Sequence, residues 1–192
     1  VSFHANELLY VLAIEKLLGI EVPRRAIWAR MALAELNRIH SHLVWLGTSA
    51  LELGAISLFW YCFDDRDQIL DLFEMAGGAR MHSRYVQVGG IAEDLPPAFT
   101  SEVRKFCDSM PKSVDEYEAI LDRNAIWLER TKGVAPLSAD DAIALAQSGP
   151  MLRASGVDWD LRKALPYLAY DEVEFDVPVY PNGDVYDRYR VH

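Results

Sequence analysis

The chain has 192 residues, 51% of them hydrophobic, and a formal net charge of −10, enough apolar content for a domain-sized core. That charge, with no basic run against it, argues against nucleic acid and anionic membrane surfaces as partners. Cys62 and Cys107 are the only cysteines and form no CxxC pair, so reduced thiols are expected rather than a zinc site or an iron–sulfur cluster. No secretory leader and no apolar run of membrane-spanning length is visible, and a cytoplasmic setting is expected.

In chain order, Asn6 to Gly19 carries Leu8, Leu12, Ile14, Leu17 and Leu18 at helical spacing, with Gly19 as terminator. A short connection leads to a long helix expected over 24–63, antiparallel to the first. Along it Glu35, Arg38, His42, Trp45, Ser49 and Glu52 recur at steps of three and four, a polar stripe on an otherwise apolar surface. Glu52, set between Leu51 and Leu53, is expected out of water and therefore paired or protonated, with Thr48 one turn earlier and His42 or Arg38 further along as partners. A buried ion pair that fixes helix packing is the competing reading. Gly47 and Gly54 allow close approach of a neighbour, or a bend.

Asp64 to Met75 reads as a further helix closed by Gly77-Gly78. Arg80, His82 and Arg84 then cluster in a segment expected to begin helical and end extended. Residues 99–132 read as a helical hairpin that Pro111 breaks or restarts, and Ser138 caps a small helix. After Gly149-Pro150 the pattern predicts a loop over 151–157, one helical turn at 160–164, a strand at 173–179 and an Asn182-Gly183 hairpin turn into a second strand at 184–191. The fold expected is mainly α: an antiparallel helical bundle over 1–148, with a loop and small β region over 149–192 packed on it as part of one domain. Both ends read as cut, inside a helical pattern and inside a strand.

Several chemistries lack their motifs. The glycine pairs do not make a phosphate-binding loop. His40 and His42, two apart on a helix, point about two hundred degrees away from each other and cannot share a metal ion. No HExxH, no ExxH and no GxSxG occurs. The inventory suits proton handling better than bond making, with electron transfer supplied by partners, and His42 reads as a core histidine.

Five blocks, LAIEKLLGIEVPRRA, ELNRIHSHLVWLGTSALELGA, RDQILDLFEMAGGARMHSRYVQVGGIAEDLP, SGPMLRASGVDWDLRKALPY and FDVPVYPNGDVYDRYRV, occur in order and span nearly the whole chain. Together they resemble the D-subunit family of NADH:quinone oxidoreductase, respiratory complex I, which shares ancestry with the large subunit of nickel–iron hydrogenases. The resemblance implies a hydrogenase large-subunit-like fold in a peripheral arm on the cytoplasmic face of the plasma membrane, or the equivalent matrix side, attached to the membrane arm through other subunits. It implies a quinone-reducing pocket shared with a small subunit that holds the terminal iron–sulfur cluster. NADH, FMN and the clusters would sit on partner subunits, with quinone as substrate and no cofactor bound by this chain.

Position by position, Glu52 matches an acid that is usually Asp and pairs with a histidine from an upstream β-hairpin; here it is one methylene longer. Ser2 and Thr48 match positions near the quinone headgroup, and Val44 and Phe59 match apolar pocket positions. His82 matches a histidine whose protonation is linked to reduction of the terminal cluster. The family's quinone-bonding tyrosine and its upstream histidine would precede Val1. A membrane-bound nickel–iron hydrogenase-type large subunit, or a non-catalytic scaffold of such an assembly, are the alternative readings.

Overall fold

A computed structural model describes residues 2–192, and they are mainly helical. The chain divides into two compact units: residues up to Leu51 together with Ile56–Tyr117, and Glu52–Ala55 together with Glu118–His192. The parting at Tyr117/Glu118 lies upstream of the 148/149 boundary expected from composition.

The first unit is built on α1 (Phe3–Leu18), α2 (Arg24–Glu52, up to Leu51), α3 (Ile56–Gly77) and most of α4 (Phe99–Leu121), with a two-strand antiparallel hairpin, β1 (Val86–Gln87) and β2 (Gly90–Ile91). α1 buries Phe3, His4, Leu8, Val11 and Glu15, a face repeating at three and four residues. It ends at Gly19, whose left-handed backbone (φ 64°) returns its N–H to the Glu15 carbonyl. Arg30, 1% exposed, clamps Glu15 with two hydrogen bonds of 3.0 and 2.7 Å and donates to the carbonyls of Gln87 and Gly90. Glu15 in turn accepts the Gly89 N–H at 2.7 Å, and Arg30 holds its carboxyl below the usual carboxylate range. One buried ion pair thus fastens the hairpin turn to two helices.

The expected helix over 24–63 is two helices. The break falls at Gly54, whose φ of 96° an L side chain rarely adopts, so residues 64–75 lie inside α3. Gly78, also left-handed (φ 74°), closes α3 as predicted, donating to the Glu74 carbonyl at 2.8 Å. The segment after it does not begin helical: Ala79–Tyr85 is irregular up to β1. α4 continues through Pro111. Its successor α5 (Ala125–Thr131) starts where Asn124 accepts the N–H groups of Ile126 and Trp127 at 3.0 and 3.2 Å, so within the expected 99–132 stretch a new helix begins at an N-cap and not at the proline.

The second unit holds α5, α6 (Ala139–Ala144), α7 (Gly149–Ala154), α8 (Leu161–Ala164), a 3-10 turn at Tyr170–Glu172 and α9 (Val185–Val191). Ser138 caps α6 as the sequence predicts, and the helical turn expected at 160–164 is α8, for which Asp160 is the N-cap. The loop expected over 151–157 opens instead with α7, which carries Pro150 in its first turn, where the missing N–H is harmless. The expected C-terminal β region is not formed: residues 173–180 belong to no strand, and 185–191 is helical. Asp184 decides the latter by accepting the N–H groups of Asp187 (2.8 Å) and Gly133 (2.6 Å). Asp187, 2% exposed, accepts the backbone and side-chain N–H groups of Asn182 at 2.6 and 3.2 Å. An aspartate at the cap with Arg188 and Arg190 in the last turn is a helix signature that outweighs the Asn-Gly turn signal. Trp127 and Tyr189, ring centroids 5.3 Å apart, anchor this unit's core. Among the described residues β1 and β2 form the sole sheet.

Candidate functional site

Within the first unit, the start of α1, the middle of α2, the end of α3 and the segment before β1 converge on an aromatic and imidazole cluster. Phe3 is its centre: its ring centroid lies 4.7 Å from His4, 5.8 Å from His40, 5.4 Å from His82 and 5.2 Å from Phe73. His4 and His40 are buried, at 2% and 0% exposure. Burial, with the neighbouring His40 and His82, brings His4 from its ordinary 6.5 down to about 4, so it is neutral at physiological pH. His82 is exposed and has a left-handed backbone (φ 57°), as does Arg84 (φ 51°). For residues with a side chain each such conformation costs roughly 1–2 kcal/mol.

The restraints on this segment are specific. Gly77 gives Ser83 its seat, since a Cβ on Gly77 would stand 2.5 Å from that of Ser83. Glu7 on α1 accepts the Arg84 N–H at 3.2 Å, while its other oxygen lies 3.4 Å from His4 Nδ1. Arg80 is engaged with Asp67 and Asp71 of α3. The basic cluster inferred from Arg80, His82 and Arg84 is therefore partly neutralised.

The residues matched to quinone positions lie as follows. Val44 and Phe59 are half-buried and Thr48 is exposed. α2 and α3 meet around Gly47, where a Cβ would stand 3.3 Å from Cys62 Cβ and 3.5 Å from Phe59 Cα. The Thr48 hydroxyl donates back to the Val44 carbonyl at 2.7 Å, an intrahelical bond rather than the expected one to Glu52. Phe59 stacks on Phe63 at 4.0 Å. Half-buried Ser2 precedes α1 without capping it by its side chain.

Glu52 departs most from expectation. It is the last residue of α2, belongs to the second unit and is exposed. Gly54 ends the helix two residues on, so the predicted stripe that carries Glu52 does not continue into a buried seam. His42 is half-buried, and it is His40 that occupies the core.

Sequence patterning does not bring His4, His40 and Glu7 forward as a group. A signal for His4 is nevertheless present: run back to Phe3, the α1 register places His4 on the face shared with Leu8, Val11 and Glu15. Burial pushes the Cys62 thiol up to about 12, Cys107 is exposed, and among the described residues no three His, Cys, Asp or Glu side chains group around a common point. No described helix is long and apolar enough to cross a membrane.

Residues 52–192 match the family described as respiratory-chain NADH dehydrogenase, 49 Kd subunit. The second D subunit of the NADH-quinone oxidoreductase of Roseiflexus sp. (strain RS-1) is 55% identical over 187 residues, 97% of this chain and 45% of that protein. The corresponding D subunit from Citrifermentans bemidjiense is 53% identical over 186 residues, 97% of this chain and 48% of that protein. The chain thus spans about half the length of the curated relatives it matches. With the ordered blocks from Leu12 to Val191 and the matched domain, the chain belongs to the 49-kDa, or D, subunit family of respiratory-chain NADH:quinone oxidoreductases.

Proposed function

We propose that this chain forms part of the wall of a quinone-reducing pocket in a proton-translocating NADH:quinone oxidoreductase, acting only within the assembled complex. The observation that carries the reading is the exposed imidazole of His82, presented on a strained backbone held by Glu7 and Gly77. A titratable ring kept at a surface by two independent restraints is suited to taking up a proton when negative charge arrives beside it. A terminal iron–sulfur cluster on a small partner subunit would supply single electrons to the quinone. On this chain, Ser2 and Thr48 offer hydroxyls, Val44 and Phe59 apolar surface, and His82 and Glu52 proton-exchanging groups.

Glu52 rests on its match to the family's acidic position. Its exposure removes the argument from burial, and its carboxylate is accessible to a group from a partner. The membrane enters through other subunits, with the complex on the cytoplasmic or matrix face, and NADH, FMN and further clusters belong to partners.

Two variants of the full-length subunit in the assembled enzyme test this. His82→Ala flattens the pH dependence of the terminal cluster's reduction potential; an unaltered dependence removes His82 from redox-linked proton uptake. Glu52→Gln lowers quinone reduction and proton translocation; wild-type values for both remove Glu52 from the mechanism.

A further inference from the structure

We propose that Glu7 is a positioning residue for His82: its carboxylate fixes the left-handed segment that presents the imidazole. The inference deepens the reading of His82 given above and rests on it. Its ground is the geometry of α1 against the segment before β1. Two non-glycine residues with positive φ, His82 (57°) and Arg84 (51°), stand on either side of Ser83. Two such residues so close together persist only where their surroundings over-determine them.

On one side Ser83 fills the space that Gly77 leaves open. On the other, Glu7 Oε1 accepts the N–H of Arg84 at 3.2 Å. Oε2 makes no hydrogen bond and lies 3.4 Å from His4 Nδ1. The charges around the carboxylate sort simply. His4 on its own helix is neutral near pH 7 and has the imidazole of His40, from α2, beside it. From the segment come His82 and the exposed Arg84. Arg80 is held by Asp67 and Asp71. Burial raises the Glu7 carboxyl above its ordinary value, and the bond from the Arg84 N–H opposes that.

The variants separate the bond from the charge. Glu7→Gln keeps an accepting oxygen but loses the charge, and Glu7→Ala loses both. Hydrogen exchange over residues 82–86 rises in Glu7→Ala by about tenfold and stays near wild type in Glu7→Gln. In the assembled enzyme with the full-length subunit, Glu7→Ala flattens the pH dependence of the terminal cluster's potential as His82→Ala does, while Glu7→Gln leaves it near wild type. If His82→Ala flattens that dependence but Glu7→Ala leaves it at wild type, Glu7 does not place His82 and the inference fails alone. Wild-type exchange in Glu7→Ala also overturns the positioning claim. A dependence indifferent to His82→Ala overturns the functional reading, while the exchange result still decides whether Glu7 holds the segment.

Discussion

The two units bury charged and titratable groups in opposite ways. In the second, Asp160, Asp184 and Asp187 are each less than a tenth exposed and fully occupied: Asp160 by Arg162 at 2.7 Å and Arg153 at 3.5 Å, the others by backbone N–H groups. In the first, Arg30 and Glu15 follow the same rule, but His4 lies among Phe3, Phe73 and a second buried imidazole. A carboxylate surrounded by donors is locked in one protonation state. A neutral imidazole packed against rings stays out of water by giving up its proton. The first arrangement stabilises a fold; the second makes a fold sensitive to acid.

The sharpest way to break that comparison is to remove one partner of the locked pair that the first unit does contain. Glu15→Ala leaves Arg30 buried without its carboxylate and frees the hairpin turn, and should destabilise the first unit by about 3–5 kcal/mol, read as a lower denaturation midpoint of the chain and faster exchange over 86–91.

Next comes acid titration. His4 has its folded value below its unfolded one, so the unfolded chain binds the extra proton first and stability falls as pH drops from 6.5 toward about 4. The full effect is on the order of 3 kcal/mol. Asp160 is depressed from 3.8 to about 2 by its Arg162 hydrogen bond. Its contribution is present above 3.8 and is lost only as pH falls through about 2, a loss of about 2 kcal/mol. Exchange followed against pH should therefore rise in the first unit before the second, and His4→Phe should abolish the early phase. Simultaneous loss in both units, or an early phase that survives His4→Phe, contradicts the contrast.

Asp184→Ala removes the acceptor for two backbone N–H groups and should cost about 1–2 kcal/mol, confined to α9 and the turn at Gly133 in an exchange experiment. The smallest expected change is at Glu52. An acid on the last turn of α2 opposes the helix dipole, so Glu52→Gln should leave stability unchanged or raise it by about 0.3–1 kcal/mol in a chemical melt. A marked loss of stability would make Glu52 a structural residue.

Helices are legible in the sequence where periodicity and caps agree. Gly19, Gly78 and Ser138 close or open elements as expected, because each acts within a few residues of its own position. Reading fails where two local signals compete. Gly54 stands in a continuous apolar run, and nothing nearby announces a left-handed backbone. At the C-terminus an Asn-Gly turn and an alternating pattern argue for strands, while Asp184 argues for a helix; its bond to Gly133, fifty-one positions away, reinforces the cap and no window shows it. The segment that carries His82 is legible through the imidazole itself. Its restraints are not, since Glu7 and Gly77 touch it through backbone and empty space.

The absent side chain at residue 77 has a reach beyond packing. Ser83 occupies the volume that any larger residue there would claim, so an alanine at that position would unseat the histidine-bearing strip while sparing every chemically reactive atom in the chain. Variants that lose the role proposed for His82 should therefore include some with an intact complement of reactive groups, their defect lying in lost clearance alone.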